Sequence, residues 1–140
     1  MNAQPDISLG KIGQISVNVH DLAGATAFYK DILGMKHLFS VPPKMAFFDC
    51  GGVRLMLAIP ERPDLDHPSS ILYFKVEDIE QAYEVFASRG VHFETKPVLV
   101  APMATHDLWL AEFRDSEKNV LALMCEKPKE TKANTTRHFR

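Results

Sequence analysis

Apolar and polar residues alternate one by one between Ile12 and Val19. Because successive side chains of a strand point to opposite faces, this alternation predicts a strand with one buried and one polar face. The apolar spacing then becomes helical, with Asp21 as the N-cap and Gly34 as the left-handed residue that ends the helix. Strands are predicted next over residues 35–41, 45–49 and 53–59, with a Cys-Gly-Gly turn between the last two.

The same order of elements is predicted again in the second half of the chain. A strand over residues 71–76 precedes a helix that Asp78 and Gln81 begin as a capping box and that Gly90 ends. Strands over residues 91–95, 98–100, 106–114 and 119–126 follow. The stretch Val19-His20-Asp21-Leu22 returns as Val76-Glu77-Asp78-Ile79, and Phe47-Phe48-Asp49 returns as Phe113-Arg114-Asp115. This repetition predicts two copies of one βαβββ unit.

The two copies define the expected domain organisation. A single domain over residues 10–126 contains module one (10–59), a proline-rich connector (60–69) and module two (70–126). Residues 1–9 are predicted to be an N-terminal tail, and residues 127–140 a flexible C-terminal tail because they are polar and aperiodic. Since each helix covers one face of its sheet, we expect an α+β fold whose tandem modules form a curved, cup-shaped mixed sheet with the helices outside.

Composition narrows the class of protein. The 140 residues are 46% apolar and 24% charged, as in ordinary soluble domains. The net charge of −2 argues against nucleic-acid binding, and no apolar run approaches the ~20 residues that span a membrane. The N-terminus lacks a signal-peptide pattern, and two cysteines are too few for a disulfide framework. These features predict a cytoplasmic protein with free thiols.

The repeated stretches resemble the vicinal oxygen chelate superfamily, which includes glyoxalase I, bleomycin-resistance proteins and extradiol dioxygenases. The resemblance lies in the strand–Val-x-Asp-Leu–helix–Gly stretch of each half and in residues 113–123, and it extends over about residues 10–126. Metal-dependent members place a His, Glu or Gln ligand on the first and last strand of each module. The resemblance assigns these four places to Gln14, Met56, Ile71 and Ala122.

These four side chains are poor ligands for the metals that such sites hold. Only Gln14 offers an oxygen, and a neutral amide alone binds divalent ions weakly. Met56 offers a soft thioether suited to copper(I), while Ile71 and Ala122 offer no lone pair. We therefore predict that the usual metal site is absent and expect no cofactor.

Strand alternation extends the set of side chains that face the cup. The mixture of apolar and polar groups is typical of a small-molecule pocket. Several members have a structural alternative: Gln14 could satisfy backbone groups, Met56 and Ile71 could fill a collapsed cup, and Tyr73 could bury its ring. The predicted ligand-binding residues are Gln14, Ser16, Met56, Ile71, Tyr73, Ala122, Leu110 and Glu112.

Catalytic candidates are weak. His106 and Glu112 would lie on one face of one strand, but about 20 Å apart when extended, so they cannot share a proton. A displaced metal site built from His67, His106 and Glu112 would require the connector to fold over the cup.

Three functions remain open from the sequence. The first is a metal-free protein that resembles the bleomycin-resistance branch and binds a small, partly apolar molecule, often in a cleft completed by a homodimer partner. The second is a metal-dependent lyase, isomerase or dioxygenase with a displaced metal site. The third is a non-catalytic regulatory or interaction domain. We expect a homodimer and no nucleic-acid or membrane partner.

Overall fold

The computed structural model describes residues 5–129 of the chain. The first module follows the predicted order of elements. Its strands and helix are β1 (Gln14–Asn18), α1 (Leu22–Ala27, continued by a π-helical turn over Phe28–Ile32), β2 (Lys36–Val41), β3 (Met45–Cys50) and β4 (Val53–Ala58).

The second module repeats this order after a connector that contains a 3-10 turn over Pro63–Leu65. The place of β2 is taken by two short strands, both of which pair with the same long strand. The elements are β5 (Leu72–Lys75), α2 (Ile79–Ser88), β6 (His92–Phe93), β7 (Val98–Pro102), β8 (His106–Arg114) and β9 (Val120–Pro128).

The helix ends are formed by the residues that local chemistry favours. The Asp21 carboxylate accepts a hydrogen bond from the Gly24 amide at 3.1 Å, and the Asp78 carboxylate accepts one from the Gln81 amide at 3.0 Å. Beyond the helices, Gly34 and Gly90 take φ angles of 73° and 94°, which glycine adopts without a Cβ penalty.

The strands form two separate mixed sheets. The first has the order β1-β4-β3-β2, and the second has the order β5-β9-β8-β6 with β7 also paired to β8. The β1–β4 and β5–β9 pairs are parallel and the other pairs are antiparallel. The α+β class with two tandem modules is confirmed, and the described strands close no barrel.

The helices cover one face of each sheet and bury the apolar set that alternation predicts. Tyr29 and Ala25 of α1 and Ile79 of α2 are fully buried against this face. The opposite face of each sheet, here called the open face, is not covered by a helix. The alternate side chains of each strand point to it. Core residues on the helix-covered faces include Val17, Phe48, Leu55, Leu57, Phe113, Leu121 and Leu123.

Strand register corrects one repeat assignment. Phe48 is the partner of Leu55 across β3 and β4, just as Phe113 is the partner of Leu121 across β8 and β9. Phe48 is therefore the counterpart of Phe113, and the predicted match between Phe47 and Phe113 is wrong by one residue. The β8–β9 turn is longer than the two-glycine β3–β4 turn, and a one-residue change in a turn exchanges the two faces of a strand.

Strand β9 also extends beyond the predicted end of the domain. Its residues Lys127 and Pro128, assigned to the C-terminal tail from the sequence, pair with Asp107 and His106 of β8. The rest of that tail from residue 130, and residues 1–4 of the N-terminal tail, lie outside the described residues. Within residues 5–129, no helix is long and apolar enough to cross a membrane.

Candidate functional site

The four positions that the sequence assigns to the former metal centre form two equivalent pairs. Ser16 is the strand partner of Met56, and Tyr73 is the strand partner of Ala122. Gln14 thus lies two residues before the partner of Met56, exactly as Ile71 lies two residues before the partner of Ala122. Each pair faces the open side of its own sheet, so the two pairs occupy equivalent places in the two modules.

Gln14 is engaged by neighbouring side chains on the first open face. Its carbonyl Oε1 accepts a hydrogen bond from Nε of Arg54 at 2.8 Å, and its Nε2 lies 3.8 Å from Sδ of Met56. The amide of Gln14 thus bonds to side chains rather than to strand backbone. Gln14 is the only one of the four assigned residues with an oxygen donor, and its immediate neighbours are the Arg54 cation and the Met56 thioether.

An aromatic pair lies beside these groups. Phe47 is the strand partner of Met56, and its ring stacks on Phe39 with centroids 4.6 Å apart. The Arg54 guanidinium carbon lies 5.2 Å from the centroid of Phe47. Neither phenylalanine is among the predicted ligand-binding residues, because the face of each hairpin strand depends on its turn. The adjacent pair Phe47-Phe48 was the available signal, since neighbouring strand residues must take opposite faces.

The second open face contains the remaining predicted ligand-binding residues. Leu110 pairs with Met124 and Glu112 pairs with Ala122, so both share the face of Tyr73. Ile71 and Tyr73 are 46% and 51% exposed, whereas Ala122 is buried. Ile71 lines a cleft together with Val120 and Arg114, and Glu112 lies beside Ala122.

The weak catalytic candidates are not brought together. His106 and Glu112 pair with Pro128 and Ala122, at opposite ends of the long β8–β9 ladder. His106 contacts the Thr105 hydroxyl through Nδ1 at 2.9 Å. Within residues 5–129 no three His, Cys, Asp or Glu side chains form a group that could hold a metal ion, so the alternative site of His67, His106 and Glu112 is not formed.

The connector divides the two open faces within one chain. The Asn18 side-chain amide donates to the carbonyls of Leu65 and His67 at 2.7 and 2.9 Å, and the Asn18 backbone amide donates to the Ser69 hydroxyl at 3.1 Å. One cleft of about 390 Å³ borders Ser16 and the connector. A second, of about 560 Å³, borders the connector and Ile71. Both clefts are lined by Asn18, His67 and Ser69, which therefore stand between the first open face and Ile71.

His20 joins three parts of the chain at the rim of the larger cleft. Its Nε2 lies 3.0 Å from Asp66 of the connector, and its Nδ1 lies 3.3 Å from Glu117 of the β8–β9 turn. Hydrogen bonding and charge from Asp66, reinforced by Glu117, raise the pKa of His20 above its usual value. The sequence indicated only an exposed neighbour of the helix cap, because these contacts join residues far apart in the chain.

The raised pKa of His20 predicts pH-dependent stability. Protonated His20 is favoured in the folded chain, so its stabilisation is complete below about pH 6.5, the value for the unfolded chain, and is lost as pH rises through the folded-state pKa. Wild type should therefore melt at a higher temperature than His20→Gln at pH 6, with a smaller difference at pH 9. His37→Gln, which removes an imidazole bonded to the neutral Ser40 hydroxyl, is the control. Equal differences at both pH values for His20→Gln would contradict the prediction.

The protein consists of two tandem βαβββ modules, and the candidate site lies on the sheet faces that no helix covers. The chain belongs to the Glyoxalase/Bleomycin resistance protein/Dioxygenase superfamily, whose family model matches residues 11–123.

The chain is also similar in sequence or fold to individual known proteins. The uncharacterized protein YraH of Bacillus subtilis (strain 168) is 29% identical over 131 residues, an alignment that covers 81% of this chain and 96% of YraH. The fold is similar to that of the lactoylglutathione lyase from Agrobacterium tumefaciens, with a TM-score of 0.69, 19% identity and coverage of 84% and 95% of the two chains. It is also similar to a glyoxalase/bleomycin resistance protein/dioxygenase from Nocardioides, with a TM-score of 0.71, 20% identity and coverage of 91% of each chain.

Proposed function

We propose that this protein binds a small, partly apolar molecule in its cup without a divalent metal at the four usual positions. The register of the two parallel strand pairs carries the proposal, because it gives Gln14 and Met56 the same relative places as Ile71 and Ala122. A hydrocarbon pair cannot coordinate a cation, and the one oxygen donor, that of Gln14, already accepts a hydrogen bond from Arg54.

The proposal includes a second copy of the chain that completes the cup. Within one chain the connector stands between the first open face and Ile71, so a pocket that contains both pairs needs a partner face. Exposed apolar side chains on both open faces support this, because apolar patches on a sheet surface commonly mark interfaces. They include Phe39 at 46%, Val41 at 47% and Tyr73 at 51% exposure. We also propose a cytoplasmic location, because Cys50 and Cys125 are free thiols, which the reducing cytoplasm favours.

Calorimetric titration of the EDTA-treated full-length protein with indole and 2-naphthol tests the function. We expect saturable binding that is unchanged by added Mn²⁺, Ni²⁺ or Zn²⁺, together with a dimer in sedimentation velocity. Ile71→Asp should weaken binding by about tenfold, or roughly 1.4 kcal/mol, because it replaces an exposed apolar side chain of the proposed pocket with a charge. Val85→Asp, which alters a partly exposed valine of helix α2, should leave affinity unchanged.

Other outcomes would favour the alternatives. Binding that requires a divalent ion, or stoichiometric metal in the purified protein, would overturn the proposal in favour of a metal-dependent lyase, isomerase or dioxygenase. A dimer that binds no small molecule would instead favour a regulatory or interaction domain. A monomer that binds these compounds would contradict the shared pocket but not the metal-free binding.

A further inference from the structure

We propose that Arg54 receives the anionic group of an aromatic carboxylate, so that a fixed guanidinium provides positive charge beside the former metal centre. This inference rests on the proposed function and names the chemical class of its ligand. Three features of the first open face support it: the position of Arg54, the contacts that hold Arg54, and the exposed ring of Phe39 beside them.

The position of Arg54 is central on the open face. It lies on β4 and is the strand partner of both Gln14 on β1 and Asp49 on β3. Met56 follows two residues later on the same face. The guanidinium is therefore directly beside the pair of side chains that stand where the superfamily's metal-dependent members carry ligands.

Two contacts orient the guanidinium but leave its outer edge available. Nε donates to Gln14 at 2.8 Å, and the guanidinium carbon lies over the Phe47 ring, 5.2 Å from its centroid. Phe47 is only 8% exposed, so the ring beneath the guanidinium is held by its surroundings. The two terminal nitrogens form no hydrogen bond or ion pair with any residue in the range 5–129.

The nearby acid does not neutralise this charge. The Asp49 carboxylate accepts a hydrogen bond from the Gly52 amide of its own turn at 3.2 Å, and no ion pair joins it to Arg54 within the described part of the chain. Arg114 on the second open face differs, because its Nε lies 2.8 Å from Glu94. Arg54 is thus a cation held in place, whose outer N–H groups can donate hydrogen bonds to the two oxygens of a carboxylate side by side.

The aromatic part of the ligand follows from the ring next to Phe47. Phe39 stacks on Phe47 with an interplanar angle of 29° and is 46% exposed. A planar ligand whose carboxylate bonds to Arg54 can place its ring against Phe39 and the Met56 thioether, both of which form favourable contacts with aromatic rings. An aliphatic acid would satisfy the cation alone, and a neutral aromatic would satisfy the rings alone.

Matched probes separate these contributions. Calorimetric titration of the full-length protein uses 2-naphthoate, its neutral analogue 2-naphthamide, and the aliphatic cyclohexanecarboxylate. We expect 2-naphthoate to bind at least tenfold more tightly than either analogue, which corresponds to about 1.4 kcal/mol. Arg54→Gln should abolish the preference for 2-naphthoate over 2-naphthamide while leaving 2-naphthamide affinity unchanged, and Arg54→Lys should retain part of the preference.

Controls distinguish a binding role from a structural one. Arg62→Gln, which removes an exposed connector arginine paired with Asp64, changes the net charge equally and should leave every affinity unchanged. If Arg54→Gln weakened 2-naphthoate and 2-naphthamide by the same factor, Arg54 would only organise the face and the inference would be overturned. Equal binding of 2-naphthoate and 2-naphthamide by wild type would also overturn it, yet would leave the proposed function standing. If none of the three probes bound, and indole and 2-naphthol did not bind either, both the inference and the proposed function would be overturned.

Discussion

Replacement of Asp115 with alanine is expected to lower the free energy of unfolding by about 3 kcal/mol, since it leaves the buried Tyr29 hydroxyl and three part-buried donors without a partner. Asp115 is 5% exposed, and its Oδ2 accepts a hydrogen bond from the Tyr29 hydroxyl at 2.7 Å. It also accepts bonds from the amides of Glu117 and Asn119 and from the Asn119 side chain. One carboxylate therefore attaches helix α1 of the first module to the β8–β9 turn of the second.

The phenol of Tyr29 remains a donor throughout the usual pH range. Burial, and then the negative charge of Asp115, raise the pKa of Tyr29 far above its ordinary value. Tyr29→Phe should therefore cost less than Asp115→Ala, about 1 kcal/mol, because the carboxylate keeps its other donors. Urea unfolding followed by circular dichroism measures both variants, and their double mutant should be more stable than the sum of the two losses implies.

Asp49 offers a control, because its carboxylate also accepts a hydrogen bond from a backbone amide of the turn that follows it. Its carboxylate is exposed and accepts a single hydrogen bond from Gly52, so Asp49→Ala should change stability by no more than about 0.5 kcal/mol. Equal losses for Asp49→Ala and Asp115→Ala would show that the cross-module contact adds nothing to an ordinary turn aspartate.

Restoration of ligands at the four inferred positions is expected to create a metal site. The variant Gln14→His, Met56→Glu, Ile71→His and Ala122→Glu supplies two imidazoles and two carboxylates, which are the ligand types that hold zinc. Its affinity for Zn²⁺ should exceed that of wild type by on the order of a thousandfold, or about 4 kcal/mol. Calorimetry measures the affinity, and circular dichroism verifies that the variant folds.

The matched control places the same four residue types two positions further along the same strands and faces. This variant is Ser16→His, Ala58→Glu, Tyr73→His and Met124→Glu. It should bind Zn²⁺ no better than wild type, because the proposed dimer brings together the four inferred positions and not these four. Equal Zn²⁺ affinity of the two variants would contradict the inferred quartet. If Ala122→Glu prevents folding, the double variant Gln14→His and Met56→Glu should still gain weak Zn²⁺ binding, because Gln14 is exposed and Met56 is only partly buried.

Much of the fold was predictable from short-range patterns. Alternation assigned the strand faces of β1, β4, β5 and β9 correctly, since the direction of a side chain is a property of its own strand. The helix ends at Asp21 and Gly34 were predictable for a similar reason, because a cap satisfies amides within a few residues and a left-handed residue favours glycine.

The candidate site was only partly predictable. Gln14 and Met56 were assigned through the repeat, and both lie on the expected face. Phe39 and Phe47 were missed because the register of their hairpin depends on turn geometry, which alternation does not specify. The role of Arg54 depends on a hydrogen bond to a residue 40 positions earlier and on a ring from a third strand, and no local pattern encodes either contact.

By itself, the sequence determined the duplicated unit and the two faces of most strands, and its family resemblance assigned four positions to the usual metal ligands. Only the tertiary structure decided how the two units meet. The connector against Asn18, the His20 contacts with Asp66 and Glu117, and the Tyr29–Asp115 bond all join distant parts of the chain. The physical reason is that periodicity reflects burial within each element, whereas bonds between elements form only after the packed helices and sheets bring their side chains within reach.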